Sequence, residues 1–185
     1  MNTCLLLIDA QESFRHRPFW TESDLPDYLS AQNALIAGCR ARGVPVARIF
    51  HTGGEPVDSN PFALESGHIR PLAGLADFAE DARFLKTRHS ALVGTGLDVW
   101  LTRHGLNRLI VSGIRTEQCC ETTARHASDL GWEVDFVPAA TLTFDMTTPG
   151  GQPLPAADIV IRTSTVLSGR FARICTVDEA LQAAR

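Results

Sequence analysis

The chain has 185 residues, 44% of them hydrophobic, so it is long enough for one well-buried domain and too short for two of ordinary size. Its formal net charge of -4 argues against binding to nucleic acid or an anionic membrane, and no apolar run is long enough to cross a bilayer. The five cysteines are an odd number without metal-ligand spacing, which argues against a disulfide framework.

The N-terminal apolar run does not have the pattern of a secretory signal. It lacks a basic region and a small-residue cleavage site, and Asp9 and Gln11 end it early. We therefore expect a single domain over residues 1–185 in a cytoplasmic, unprocessed protein.

Apolar runs and helical segments alternate along the chain. The predicted strands cover residues 4–8, 44–50, 84–86, 108–112, 132–137 and 171–175. The predicted helices cover residues 26–42, 95–103, 117–130, 156–167 and 177–184, with a short one over 72–78 and a loop over 139–155. This order predicts an α/β fold of the Rossmann-like kind, a three-layer sandwich with a six-stranded, mostly parallel sheet and helices on both faces.

Two adjacent thiols, Cys119 and Cys120, fall at the predicted start of the helix over 117–130. Unpaired N–H groups and the helix dipole favour a thiolate at such a position. Cys120 shares a stripe of small residues with Ala124 and Ala127, which is suited to packing against a sheet. Cys119 lies about 100° away around the helix axis, so we predict that Cys119 is the nucleophile and that Cys120 packs in the core.

Two further chemically active residues end predicted parallel strands, where ligands bind in such folds. Asp9 ends the first strand and could take the thiol proton, while Lys86 ends the third and could hold that carboxylate ionised. Each residue alone also has an ordinary structural role, Asp9 as a turn carboxylate and Lys86 as a surface lysine. The spacing allows the chemistry without requiring it.

Three segments together resemble the isochorismatase-like cysteine hydrolases, a superfamily that includes nicotinamidases, N-carbamoylsarcosine amidases and ureide hydrolases. LLLIDAQESF carries Asp9, Gln11 and Phe14 on an Asp-x-Gln-x-x-Phe pattern. FLKTRHSALVGTGL is similar to the family's lysine segment, and SGIRTEQCCETTARHASDLGW is similar to its nucleophile turn. The order and separation of the segments also match, so the resemblance covers essentially the whole chain.

The resemblance implies a catalytic triad of Asp9, Lys86 and Cys119. It further implies an oxyanion hole made by the N–H groups of Arg115 and Cys119. A cis peptide would join Gly113 to Ile114, and the substrate pocket would include Gln11, Phe14, His51 and Ser90. The implied reaction cleaves a C–N bond of a small-molecule amide, ureide or carbamoyl compound through a thioester at Cys119.

The chain departs from the nicotinamidase pattern after its second predicted strand. Nicotinamidases carry an Asp-x-His metal motif there, whereas this chain has His51-Thr52-Gly53-Gly54-Glu55. We therefore expect no metal and no cofactor. The expected partner is a small-molecule substrate, without nucleic acid or membrane. The resemblance further implies a homo-oligomer (dimer or tetramer).

Other functions remain open from the sequence. One is vinyl-ether hydrolysis of the isochorismatase type, since family members that cleave isochorismate do not need the thiol. The others are a thiol redox or sensor role for Cys119 and Cys120, and a binding module without catalysis. Arg15, Arg17 and Arg115 suggest an anionic or strongly polar acyl group. His89 and His126 have weaker claims to a role in the site.

Overall fold

The computed structural model describes residues 2–55 and 59–184 and contains a six-stranded sheet whose pairings are all parallel. The strands are β1 (Thr3–Ile8), β2 (Val46–His51), β3 (Ala82–Lys86), β4 (Arg108–Ile114), β5 (Glu133–Leu142), β6 (Met146–Thr147), β7 (Pro153–Leu154) and β8 (Arg173–Ile174). The helices are α1 (Leu25–Ala41), α2 (Leu97–Arg103), α3 (Glu121–Asp129), α4 (Ala156–Leu167) and α5 (Val177–Ala183). The order across the sheet is β3-β2-β1-β4-β5-β8, and β6 pairs antiparallel with β7 outside it.

The apolar run of β1 is buried on both sides because helices cover both faces of the sheet. Leu6 and Ile8 pack with residues of α2, α3 and α4, whereas Leu5 and Leu7 pack with residues of α1 and α5. Successive side chains of a strand point to opposite faces, so one uninterrupted apolar run serves both cores. The predicted three-layer α/β sandwich is confirmed.

Several predicted elements differ from the structure. The helix predicted over residues 72–78 is wrong, since this segment is irregular and Leu72 is fixed by its N–H donating to the Ala10 carbonyl (3.0 Å). The predicted loop over 139–155 contains the end of β5 and the β6–β7 pair, and the sixth strand of the sheet is only two residues long. No helix in the described ranges has the length and apolar content needed to cross a membrane.

A glycine allows β4 to pass very close to the end of β1. Gly113 pairs with Ile8 and has φ +126°, and a Cβ atom at Gly113 would lie 1.8 Å from the Ile8 carbonyl oxygen. Any side chain would therefore push the carboxyl ends of these two central strands apart.

Candidate active site

The carboxyl end of the sheet brings together the three predicted catalytic residues. Asp9 directly follows β1, Lys86 is the last residue of β3, and Cys119 lies between β4 and α3. The ammonium Nζ of Lys86 is 2.7 Å from Asp9 Oδ2 and donates to Cys119 Sγ at 3.3 Å. The side chains of Asp9 and Lys86 have no exposed surface, so this contact is a buried ion pair touching the thiol.

The backbone at Asp9 has an uncommon conformation. Its φ of +50° lies in the left-handed region, which non-glycine residues seldom adopt, although aspartate tolerates it better than most. The Asp9 N–H donates to the Ile49 carbonyl at 2.8 Å, which ties this turn to β2. Such conformations cluster at functional sites, where the surrounding structure holds them.

Cys119 lies on a π-helical turn, Thr116–Cys120, that leads into α3. The Cys120 N–H reaches back five residues to the Arg115 carbonyl at 3.2 Å. Short π segments of this kind are frequent at functional sites. Cys119 is 6% exposed, whereas Cys120 has no exposed surface and packs in the core with Ala124 and Ala127, as the helix geometry predicted.

The buried charges determine the protonation of the site. Burial raises the pKa of the Asp9 carboxyl, and the ammonium of Lys86 offsets part of that rise. Burial by itself would lower the pKa of Lys86, but Asp9 and Cys119 together outweigh it and raise that pKa, so Lys86 stays charged. Burial and then the charge of Asp9 raise the pKa of the Cys119 thiol, which therefore rests as S–H at neutral pH.

An open pocket of about 430 Å³ leads from the surface to Asp9 and Cys119. Phe14 and Phe62 meet edge to face in its wall, with ring centroids 5.1 Å apart. The other lining residues are Arg17, Phe19, His51, Gly53, Asn60, His89, Arg115 and Gln118. A cleft of this size with an aromatic wall and a few polar groups suits a small molecule.

Comparison with known proteins identifies the family. The family model described as the isochorismatase domain matches residues 3–148. The chain belongs to the isochorismatase family. Residues outside the match, from 149 onward, include α4, β8 and α5.

Relatives and solved structures match most of the chain. The isochorismatase family protein YrdC of Bacillus subtilis (strain 168) is 26% identical over 95% of this chain and 92% of its own. Nicotinamidase 3 of Arabidopsis thaliana is 31% identical over 76% of this chain and 73% of its own. An isochorismatase-family structure from Chromobacterium violaceum ATCC 12472 has a TM-score of 0.88 and 28% identity, covering 99% of this chain and 93% of the other.

Within this isochorismatase-family site, His51 lies in the pocket wall and also contacts Lys86. Its Nδ1 is 3.0 Å from Nζ of Lys86, and because an ammonium can only donate, Nδ1 is the acceptor. Burial, followed by the charges of Lys86 and His89, lowers the pKa of His51 to about 4. His51 is therefore a neutral imidazole at physiological pH.

Two residues predicted for the pocket are buried and do not line it. Gln11 is fully buried, accepts from the His51 N–H (2.7 Å) and donates to the His51 carbonyl (2.9 Å), so it fixes the end of β2. Ser90 contacts Nδ1 of His126 at 2.8 Å and thereby fastens the segment after β3 to α3. Both assignments to the pocket are therefore wrong. The side chains of Gln11 and Ser90 are buried and hydrogen-bond to neighbouring parts of the fold.

The predicted position of the cis peptide bond is wrong by one residue. The bond between Gly113 and Ile114 is not cis, and the cis bond joins Ile114 to Arg115. Ile114, the last residue of β4, still pairs with Leu142 of β5, so the strand extends two residues beyond its predicted end at residue 112.

The arginines near the pocket differ in their surroundings. Arg115 is buried, lies 3.0 Å from Glu117 and covers the ring of Phe19 at 4.8 Å. Arg17 is exposed in the pocket wall and forms no ion pair within residues 2–55 and 59–184. Arg15 pairs with Glu22 at 2.9 Å and does not line the pocket.

The donor atoms of Asp9, His51 and Cys119 lie within 4.8 Å of one another, which is close enough to suggest a metal site. The ammonium of Lys86, however, already contacts all three, at 2.7 Å, 3.0 Å and 3.3 Å. A metal ion would have to displace this buried charge, so these residues do not fit one.

Sequence reasoning missed much of the pocket wall. Asn60, Phe62 and Gln118 received no role, and His89 received only a weak one. His89 had a usable signal, since it follows Lys86 by three residues in the same segment. Asn60 and Phe62 lie in an irregular loop, whose path no hydrophobic period predicts.

Proposed function

We propose that this isochorismatase-family hydrolase is a cysteine hydrolase that cleaves a C–N bond of a small amide, ureide or carbamoyl compound. One observation carries the proposal. A thiol at the base of an open pocket contacts a buried lysine–aspartate ion pair. This arrangement has the parts that acyl transfer needs, namely a nucleophile, a group to take its proton and a fixed positive charge.

In the proposed reaction Asp9 accepts the thiol proton as Cys119 Sγ attacks the carbonyl carbon. Burial raises the pKa of Asp9, which makes its carboxylate a stronger base than an exposed one. Lys86 remains charged and stabilises the negative charge that passes from carboxylate to sulfur. The C–N bond then breaks, the amine or ammonia leaves, and water hydrolyses the thioester.

The tetrahedral intermediate requires hydrogen-bond donors for its oxyanion. We assign this role to the N–H groups of Arg115 and Cys119. Two features support the assignment. The π-helical turn Thr116–Cys120 starts directly after Arg115, and both Arg115 and Cys119 line the pocket.

The pocket also suggests the charge of the substrate. Arg17 places an exposed guanidinium in the pocket wall, near the aromatic side chains of Phe14 and Phe19. A guanidinium is suited to binding a carboxylate. We therefore propose a substrate whose acyl group carries a carboxylate or another anionic group.

Ammonia release tests the proposal across carboxamides, ureides and carbamoyl amino acids. We expect turnover with one of these classes, complete loss in Cys119→Ala, and stoichiometric labelling of wild-type Cys119 by iodoacetamide. Cys39→Ala is the matched control, because Cys39 is a buried core thiol of α1. Absence of ammonia from every class, with an intact and labelled Cys119, would refute C–N hydrolysis.

Vinyl-ether hydrolysis is a second candidate, favoured by the family model that the chain matches. C–N hydrolysis through a thioester requires the thiol of Cys119, whereas vinyl-ether hydrolysis does not. Pyruvate release from isochorismate that survives Cys119→Ala would establish the second candidate and exclude the thioester route.

A further inference from the structure

His89 contacts the proposed nucleophile from the open side of the pocket. It lies in the segment that follows β3, its side chain is exposed, and it lines the pocket. Its Nδ1 is 3.8 Å from Cys119 Sγ. The two residues are thus in direct contact, and His89 is exposed whereas the Asp9–Lys86 ion pair is buried.

The leaving nitrogen reaches solvent through the open pocket that His89 lines. Asp9 and Lys86 have fully buried side chains and close the floor beneath Sγ. An amine or ammonia must reach solvent through the open mouth, where His89 is exposed. A nitrogen leaving group also needs a proton as the C–N bond breaks, since an amide anion is a very poor leaving group.

The other pocket histidine cannot supply that proton. Nδ1 of His51 accepts from Lys86, and burial, together with the charges of Lys86 and His89, lowers the pKa of His51 to about 4. A neutral imidazole of this kind is not an acid at physiological pH. Asp9 takes the proton of the thiol, and in the cycle proposed here that proton returns to sulfur when the thioester breaks.

We propose that His89 is a catalytic acid–base residue that serves the leaving nitrogen and then the hydrolytic water, while Asp9 serves only the sulfur. The proposal rests on the C–N hydrolysis proposed above. It divides proton transfer between a group in the floor of the site and a group at its mouth.

The protons balance over one cycle. Sγ of Cys119 passes its proton to Asp9 and bonds to the carbonyl carbon, and the C–N bond breaks as the nitrogen takes a proton from the imidazolium of His89. The neutral His89 then removes a proton from water, whose oxygen attacks the thioester carbon. The C–S bond breaks, and sulfur recovers the proton held by Asp9, which restores all three residues.

A probe whose leaving group needs no proton isolates the second half of this cycle. With 4-nitrophenyl acetate, the initial burst of 4-nitrophenolate reports acylation and the steady state reports deacylation. We expect His89→Gln to keep the burst rate within about twofold and to lower the steady-state rate by about 100-fold, the usual size of an acid–base contribution. Intact-protein mass spectrometry should show acetylated Cys119 accumulating in the variant.

Chemical rescue separates a proton-transfer role from a structural one. We expect added imidazole to restore steady-state turnover of 4-nitrophenyl acetate in His89→Ala, because the vacated position is exposed. His104→Ala is the matched control, since this exposed histidine contacts the Trp100 carbonyl (2.8 Å) at the end of α2. His104→Ala should match the wild type with and without imidazole.

Two results would overturn the role of His89. If His89→Gln leaves the steady-state rate unchanged, His89 takes no part in deacylation. If the variant lowers the burst rate as much as the steady-state rate, His89 is instead the base for the thiol. Failure of the underlying function looks different, because the wild type itself would then release no ammonia from any amide. The ester measurements would still decide the deacylation role in that case.

Discussion

Replacement of Lys86 by methionine should destabilise the protein by leaving Asp9 as an uncompensated buried charge. Two unit charges at the 2.7 Å separation of Asp9 Oδ2 and Lys86 Nζ attract by about 6 kcal/mol at an effective dielectric constant of ~20. Desolvation costs several kcal/mol for each ion, so the intact pair contributes little net free energy. Lys86→Met removes the attraction and leaves the desolvation cost of the Asp9 carboxylate. We therefore expect the free energy of unfolding to fall by about 3–5 kcal/mol at pH 7.

The pH dependence gives this prediction a second signature. Burial already raises the pKa of Asp9, and loss of the Lys86 charge should raise it further. A group whose pKa is raised on folding contributes stability below its unfolded pKa, ~3.9 for aspartate, and loses it as pH rises through the folded pKa. The deficit of Lys86→Met should therefore be small near pH 4 and grow toward pH 7.

Urea unfolding followed by tryptophan fluorescence measures these free energies. The double variant Asp9→Asn/Lys86→Met is the control, because it removes both charges and should recover most of the stability while remaining inactive. A loss below about 1 kcal/mol at pH 7 for Lys86→Met alone would show that Asp9 is not held as a buried carboxylate. A double variant as unstable as the single one would refute the charge argument in favour of lost packing.

Three further variants test individual features. Gly113→Ala should destabilise the fold by more than 3 kcal/mol or prevent folding, because its Cβ would overlap the Ile8 carbonyl, whereas Gly150→Ala meets nothing closer than 3.9 Å and should fold normally. Arg17→Gln should raise KM for carboxylate-bearing substrates about 10-fold or more and leave kcat nearly unchanged, and an equal effect on neutral substrates would contradict the proposed contact. Cys120→Ala should keep turnover and iodoacetamide labelling at Cys119 while costing about 1 kcal/mol of stability, and lost turnover in a folded variant would revive a role for the thiol pair.

The elements that the sequence predicted well are those whose pattern is determined by burial. The run of β1 is apolar throughout because both faces of a central parallel strand are covered, and its end at Asp9 is visible in the sequence. The segment over 72–78 was predicted incorrectly as a helix because its apolar residues pack against the core from an irregular backbone. Local periodicity does not report a hydrogen bond such as that from Leu72 to Ala10.

The candidate site was predictable only in part, because the local sequence pattern does not report tertiary contacts. Asp9, Lys86 and Cys119 could be placed at one edge of the sheet because the carboxyl ends of parallel strands meet there. Which polar side chains face the pocket depends on tertiary contacts. Gln11 follows β1 and His51 is the last residue of β2. The side-chain amide of Gln11 bonds to the backbone of His51, however, and of the two side chains only the imidazole lines the pocket.

The strand order explains why His51 and Gln11 matter although neither belongs to the proposed triad. Lys86 ends β3 and Asp9 follows β1, and β2 lies between these strands, which places them about 9.6 Å apart. The long side chain of Lys86 must therefore pass the end of β2, where His51 is its paired neighbour and accepts from Nζ at 3.0 Å. Gln11 fixes the main chain of His51 from the other side through both its N–H and its carbonyl. The ammonium is thus held between two groups anchored to neighbouring strands, and the end of β2 positions the charge that the proposed reaction requires.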